Sequence, residues 1–121
     1  MKKILFIEDE SALQRAATQV FQEEGYSVLS ALDGDSGLRL AKKELPDLVL
    51  LDLILPKRDG FEILTELKKD PLTKNIPVII LTNLEGSADV ERALELGAST
   101  YLIKTSYKLM DVVEKIKELL K

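Results

Sequence analysis

Residues 47–60, DLVLLDLILPKRDG, combine an unbroken apolar run with a carboxylate and an irregular loop. The run 48–51 is typical of a strand that helices cover on both faces of a parallel sheet. Pro56 and Gly60 then predict a tight loop, because proline lacks a backbone donor and glycine tolerates positive φ. Asp52 is therefore expected at the carboxyl end of a central strand, where open α/β sheets bind ligands. A simpler interpretation of Asp52, an Asx turn or a helix cap, stays open at this point.

The bulk composition limits the functions open to this chain. Its 121 residues predict one domain spanning residues 1–121, which buries about two-thirds of its unfolded surface. Because the net charge is −4, we expect no direct nucleic-acid partner. The absence of cysteine and histidine excludes disulfides, thiolate sites, histidine–zinc sites and a histidine base. Carboxylates and lysines must therefore carry any chemistry.

The apolar runs are too short to span a bilayer, which requires about 20 apolar residues. Lys2 and Lys3 precede the run 4–7 as they would in a signal peptide, but the acids at 8–10 end that run after four residues. We therefore expect a cytoplasmic protein with no membrane partner.

Short apolar runs alternate with amphipathic segments along the whole chain. Ser11 and Gln14 fit a capping box at the start of the first helix, and Gly25 fits its end. Pro46 ends the second helix, and the last helix is the most clearly amphipathic. Strands are predicted at 4–7, 26–30, 48–51, 78–82 and 100–104, with a helix after each.

Five strand–helix pairs predict an α/β fold, a doubly wound five-stranded parallel sheet with right-handed crossovers. The first, third and fourth strands are almost wholly apolar and belong in the middle of the sheet. Ser27, Ser30 and Thr100 place the second and fifth strands at the edges. The predicted order is therefore 2-1-3-4-5, which changes winding direction between strands one and three.

Polar side chains follow four of these strands at one edge of the predicted sheet. Glu8 and Asp9 follow the first strand, Asp52 the third, Thr82 the fourth and Lys104 the fifth. Three carboxylates that converge there would repel each other unless protons or a cation compensate their charge. Mg²⁺ suits such a site, because it prefers oxygen ligands and combines a carboxylate or two with a phosphoryl oxygen.

The remaining residues at this edge suit a phosphoryl group. Thr82 offers a hydroxyl donor and Lys104 a compact positive charge, each from a different strand. Asp52 is then a candidate nucleophile that forms an acyl phosphate, with the metal neutralising the incoming phosphate. Taken singly, Lys104 is also explained as a surface lysine, Thr82 as a strand end, and the acid pair as a helix start. Their joint occurrence at one edge favours phosphoryl chemistry.

Together these residues resemble the receiver domain of two-component response regulators over the whole chain. The matching features are the pair Glu8-Asp9, Asp52 within DLILPKRDG, IPVIILT ending at Thr82, and Lys104 after Gly97-Ala98 and Tyr101. The resemblance implies the flavodoxin-like (βα)5 fold of that family. It also implies a phosphorylation-dependent signalling switch.

The resemblance assigns the metal and phosphoryl ligands as follows. Asp52 accepts a phosphoryl group from a histidine kinase or a histidine phosphotransfer protein. Asp9, Asp52 and the main-chain carbonyl of Ile54 hold Mg²⁺, and Glu8 assists through water. Lys104 pairs with the phosphoryl group.

The resemblance also implies a switch and its readout. Thr82 and Tyr101 form the switch, which is read at the face of the fourth helix, fifth strand and fifth helix. The chain would be a monomer or a weak phosphorylation-dependent dimer, and its downstream protein target stays open. It would not be an enzyme acting on other substrates, since it catalyses only its own phosphorylation and dephosphorylation.

Three positions depart from the family pattern. Glu8 stands where many relatives have Asp, a longer arm that still suits an outer-sphere role. Thr105 follows Lys104 where a proline after a cis bond is usual; because a cis bond to another residue costs about 3 kcal/mol or more, this loop is open to rearrangement. Ser99 and Thr100 replace acids that form a dimer interface in a large DNA-binding subfamily, which argues against that dimer.

The same residues bear on three alternative functions. A receiver that takes no phosphate and serves as a protein interaction module stays open. A phosphatase would need a second Asp at Ile54, and a flavin module would be repelled by the acids at 8–10. By resemblance, Ile54 and Leu84 flank the path of the hydrolytic water, and their apolar side chains predict slow loss of the phosphoryl group.

Overall fold

Each apolar run of the sequence forms a strand, and each amphipathic segment after it forms a helix. The computed structural model describes residues 1–121. The strands are β1 Lys3–Ile7, β2 Ser27–Ala31, β3 Leu48–Leu51, β4 Val78–Thr82 and β5 Thr100–Ile103. The helices are α1 Ser11–Glu23, α2 Gly34–Glu44, α3 Gly60–Lys69, α4 Ser87–Glu95 and α5 Leu109–Leu119, and a short 3-10 turn spans Lys104–Ser106. None of these helices has the length and apolar character needed to cross a membrane.

The five strands form one parallel sheet in the order β2-β1-β3-β4-β5. The predicted doubly wound fold and strand order are therefore confirmed. Ile7 pairs with Leu51, Leu51 with Ile80, and Thr82 with Ile103, so β4 and β5 extend about two residues beyond β1 and β3 toward the same edge. The residues that follow these strands consequently share one edge.

The core lies on both faces of the sheet. Alternate residues of β1 point to opposite faces, so Leu5 and Ile7 pack with α2 and α3, whereas Ile4 and Phe6 pack with α1 and α5. All four side chains of β3 are fully buried, as a strand covered on both faces requires. This packing fixes the end of β3, and with it the position of Asp52.

The loop after β3 corrects the expectation for Gly60. Positive φ occurs at Lys57 (69°), and Gly60 is the first residue of α3 with no positive φ. Glycine is needed at position 60 because a Cβ there would lie 2.4 Å from the carbonyl oxygen of Asp52 and 2.5 Å from Cα of Leu53. Close approach of two backbones, and not turn geometry, therefore explains this glycine.

Two further local expectations are resolved by the structure. The predicted capping box at Ser11 and Gln14 is wrong. Glu10 occupies the N-cap, no side chain caps α1, and the side chain of Gln14 lies on the buried face of this helix. The bond between Lys104 and Thr105 is trans, since the chain contains no cis peptide. The backbone continues from β5 directly into the 3-10 turn.

Candidate functional site

Three carboxylates meet where the sheet changes its winding direction, at the adjacent ends of β1 and β3. Glu8 and Asp52 are buried and Asp9 is exposed. One carboxylate oxygen from each of the three lies within 4.8 Å of those of the other two. The adjacent strands hold this geometry, because the backbone N–H of Asp52 donates to the carbonyl of Ile7 at 3.1 Å.

The carboxylate of Asp52 is oriented by two donors. Its Oδ1 accepts from the backbone N–H of Ile54 at 3.1 Å, and its Oδ2 accepts from Nζ of Lys104 at 2.8 Å. The first contact is the Asx-type turn that the sequence left open. The turn and a chemical role are compatible, because the turn fixes one oxygen while the other faces a cation.

Lys104 reaches across β4 to the acids from the far edge of the sheet. Its ammonium contacts both Oδ2 of Asp52 and Oε1 of Glu8. Burial by itself would lower the pKa of Lys104, but hydrogen bonds to Asp52 and Glu8 outweigh it and raise that pKa above its ordinary value. Lys104 is therefore a permanent positive charge in the cluster.

The pKa of Glu8 is raised well above its ordinary value. Burial raises its pKa to about 7, the charge of Asp52 adds to this rise, and the hydrogen bond from Lys104 opposes it. When all three acids are ionised, Lys104 neutralises only one of three negative charges. The oxygen donors and the two uncompensated charges fit a hard divalent cation such as Mg²⁺.

Thr82 and Tyr101 occupy the neighbouring strands. Thr82 ends β4, is fully buried, and its hydroxyl has no hydrogen-bond partner. Such an unpaired buried group is rare and calls for an explanation. The half-buried Tyr101 donates its O–H to the carbonyl of Leu84, in the loop after β4, at 2.8 Å. Burial raises the pKa of Tyr101, and the negative charges of Asp89 and Asp52 raise it further.

The two apolar residues expected beside the water path differ in their packing. Ile54 is 53% exposed, whereas Leu84 is half-buried against the core between the sheet and α2 and α3. Ile54 therefore remains a free apolar side chain next to Asp52. Leu84 is partly engaged in packing.

Sequence reasoning missed one residue of this region, Gln14. Its side-chain amide donates to the carbonyls of Phe6, Glu8 and Ala31 at 2.8, 3.2 and 3.0 Å. A signal for its burial was present in the sequence, because position 14 lies on the same helical face as the apolar Ala17 and Phe21, which are buried.

Known proteins share both the sequence and the fold. A family model described as the response regulator receiver domain matches residues 4–117. Response regulator PleD of Caulobacter vibrioides is 41% identical over 102 residues, which cover 84% of this chain and 22% of PleD. The chain spans between 22% and 50% of the length of the curated relatives it matches.

Solved structures agree with this match. A CheY-like response regulator receiver domain protein from Methanospirillum hungatei JF-1 superposes with a TM-score of 0.93 at 32% identity, covering 99% of this chain and 94% of that one. The Mn²⁺-bound form of response regulator Rcp1 superposes with a TM-score of 0.83 at 34% identity, covering 98% of this chain and 91% of that one.

Proposed function

Because the chain belongs to the response regulator receiver family, we propose that Asp52 accepts a phosphoryl group and that this event switches the domain between two states. The donor is the phosphohistidine of a histidine kinase or of a histidine phosphotransfer protein. The observation that carries this proposal is a buried carboxylate, Asp52, that faces the ammonium of Lys104, while the unpaired hydroxyl of Thr82 ends the adjacent strand.

The three acids also supply the ligands for a divalent cation. Asp9, Asp52 and the main-chain carbonyl of Ile54 would hold Mg²⁺, and Glu8 would act through a water molecule. The bound cation neutralises the charge of the phosphoryl group, so that a carboxylate can approach it. A solved relative at 34% identity, Rcp1, is described in its Mn²⁺-bound form, which supports binding of a divalent cation by this chain, and the cluster of three carboxylates is where we place it.

Three side chains then have a defined task in the phosphoryl transfer. An oxygen of Asp52 forms a bond to phosphorus as the phosphorus–nitrogen bond of phosphohistidine breaks, and the imidazole that leaves takes up a proton. Lys104 exchanges part of its contact with Asp52 for a phosphoryl oxygen. Thr82 donates its hydroxyl to a second phosphoryl oxygen, which gives that group the partner it lacks. The chain acts on no substrate other than its own Asp52.

The alternative is an interaction module that never takes phosphate. It is favoured by one observation, that both oxygens of Asp52 already have partners. Beryllofluoride with Mg²⁺ separates the two functions, because it mimics a phosphoryl group on a free carboxylate. We expect amide resonances near Asp52, Thr82 and Lys104 to shift in the parent chain and to stay unchanged in Asp52→Asn. A parent spectrum that does not respond would support the interaction module.

A further inference from the structure

Gln14 lies outside the acid cluster but is connected to it through the backbone. It is 4% exposed, and its single amide nitrogen faces the carbonyl oxygens of Phe6, Glu8 and Ala31. Since an amide nitrogen carries two hydrogens, one of them is shared between two acceptors. The opposite amide orientation is excluded, because it would place an oxygen against three carbonyl oxygens.

The strongest consequence concerns the peptide between Glu8 and Asp9. The carbonyl of Glu8 accepts no hydrogen bond other than the one from Gln14. The N–H of Glu8 donates to the carbonyl of Ala31 at 3.0 Å, and that carbonyl also accepts from Gln14. The Gln14 side chain therefore holds the carbonyl of Glu8 directly, and it shares with the Glu8 N–H the carbonyl of Ala31 as acceptor.

The same residue also closes the loop from its far side. The backbone N–H of Gln14 donates to the carbonyl of Glu10 at 3.0 Å. This is the first i→i−4 backbone bond of α1, which any residue at position 14 would make, so only the Glu8 end of the segment 8–10 depends on the Gln14 side chain. Asp9 itself is exposed and makes no hydrogen bond through its side chain, so its direction depends on the backbone that carries it.

The buried amide of Gln14 is satisfied on its nitrogen side only. The oxygen of the Gln14 amide is buried without any partner. A buried polar atom without a partner calls for an explanation, and functional or strained sites are where such exceptions are expected.

We infer that Gln14 is a positioning residue for the divalent cation, because its amide fixes the carbonyl of Glu8, in the peptide that precedes Asp9, and thereby aims Asp9 at the site. This inference rests on the proposed function, in which Asp9 and Asp52 hold the metal. Groups hydrogen-bonded to metal ligands change the affinity for the metal by about 10- to 100-fold when they are removed. Gln14 acts through the peptide next to a ligand, so we expect an effect at the lower end of this range.

The test compares Gln14→Met, which keeps the size but loses the donors, with Gln19→Met. Gln19 is exposed on the same helix and bonds only to Glu23, so it is a matched control. Each variant of the 121-residue chain is titrated with MgCl₂ alone, and the dissociation constant is taken from amide shifts at Asp9 and Asp52. We expect Gln14→Met to bind Mg²⁺ about tenfold or more weakly and Gln19→Met to match the parent.

A second readout separates positioning from general stability. With acetyl phosphate, Gln14→Met should need more Mg²⁺ for half-maximal phosphorylation and should recover the parent rate at saturating Mg²⁺. A folded Gln14→Met variant that binds Mg²⁺ as tightly as the parent would overturn the inference.

If Gln14→Met does not fold, the parent chain decides the question. The side-chain amide hydrogens of Gln14 should exchange slowly with solvent and shift along the same Mg²⁺ titration as Asp9, whereas those of Gln19 should not. Gln14 signals that stay still while Asp9 and Asp52 respond would reject the inference and leave the proposed function intact. No Mg²⁺ response at Asp9 or Asp52 in the parent would reject both.

Discussion

Thr82 shows how one side chain can be costly in one state and useful in another. Its hydroxyl is buried and unpaired at the end of β4, beside the strand that carries Asp52. An unpaired buried hydroxyl destabilises a folded protein by about 1–3 kcal/mol. If a phosphoryl oxygen supplies the missing partner, the same group favours the phosphorylated state, because only that state makes the bond.

We therefore predict opposite effects of Thr82→Val on stability and on switching. Without phosphate, the free energy of unfolding of the variant should equal that of the parent or exceed it by up to about 1 kcal/mol, because an unpaired hydroxyl is replaced by a methyl group. Its response to beryllofluoride should weaken at β5 and α4. Chemical denaturation and amide spectra measure the two effects.

Thr73→Val is the matched control for this prediction. Thr73 is equally buried, but its hydroxyl donates to the carbonyl of Leu67 at 2.7 Å. Its replacement should lower the free energy of unfolding by about 1 kcal/mol and leave the beryllofluoride response intact. Equal destabilisation by the two substitutions would mean that Thr82 has a partner in the resting chain.

Among the elements, the loop from Asp52 to α3 carries the most constraint. Gly60 donates its N–H to the carbonyl of Leu53 at 2.9 Å and lies too close to the backbone of Asp52 for any side chain. Lys57 and Arg58 tie the same loop to α2 through contacts with Asp33 and Asp35. The close approach at Gly60 fixes the end of the loop, and the partly exposed ion pairs add little to it.

We predict that Gly60→Ala displaces this loop and costs about 1–3 kcal/mol of stability, because backbone atoms cannot yield to the new methyl group. Mg²⁺ affinity and phosphorylation should fall together. Gly86→Ala is the comparison, since its Cβ would meet only the flexible side chain of Asp89 at 3.3 Å. Because Gly86 is the N-cap of α4, this variant should lose about 1 kcal/mol or less of stability and keep the parental Mg²⁺ affinity. A Gly60→Ala variant with parental stability and Mg²⁺ affinity would contradict the close-approach explanation.

The lifetime of the phosphoryl group depends on two loop residues. Ile54→Asn should speed its loss several-fold, about 1 kcal/mol of barrier, because an exposed amide next to Asp52 can orient a water molecule. Leu84→Glu should act in the same direction but lose some packing against the core. Decay of acid-labile phosphate, followed by mass spectrometry, measures both.

Leu72→Asn serves as the control for these lifetimes. Leu72 is exposed like Ile54 but follows α3, away from the site. The Leu72→Asn variant should lose its phosphoryl group from Asp52 at the parental rate. If the double variant of Ile54 and Leu84 loses phosphate no faster than the parent while binding Mg²⁺ equally well, their apolar side chains do not explain the lifetime.

The elements also show what the sequence could predict. Burial alternates or runs unbroken along a strand, so the type and order of β1 to β5 follow from composition alone. The reason for Gly60 and the role of Gln14 depend on distances between segments far apart in the chain, which local patterns do not encode. The three-residue spacing between Ser11 and Gln14 fits both a local helix cap and a buried residue that contacts other segments. The sequence alone could not distinguish the two, so Gln14 was assigned to the cap.

At the scale of the whole molecule, chemistry and packing are separated. The two apolar clusters fill both faces of the sheet, and the charged cluster occupies one edge. Thr82 and Tyr101 connect that edge to the face formed by α4, β5 and α5, because Tyr101 bonds to the loop that follows Thr82. We therefore predict that a change at Asp52 reaches this face through the loop after β4.

The central claim is that Asp52 carries the phosphoryl group, and intact mass spectrometry after incubation with acetyl phosphate and Mg²⁺ tests it most directly. The parent should gain one acid-labile phosphoryl group, and Asp52→Asn should gain none while it keeps its fold. Asp59→Asn is the control, because Asp59 lies exposed in the same loop, and asparagine retains its capping of α3. An Mg²⁺-dependent, acid-labile mass gain that persists in Asp52→Asn, or a parent that gains no mass, would contradict the claim.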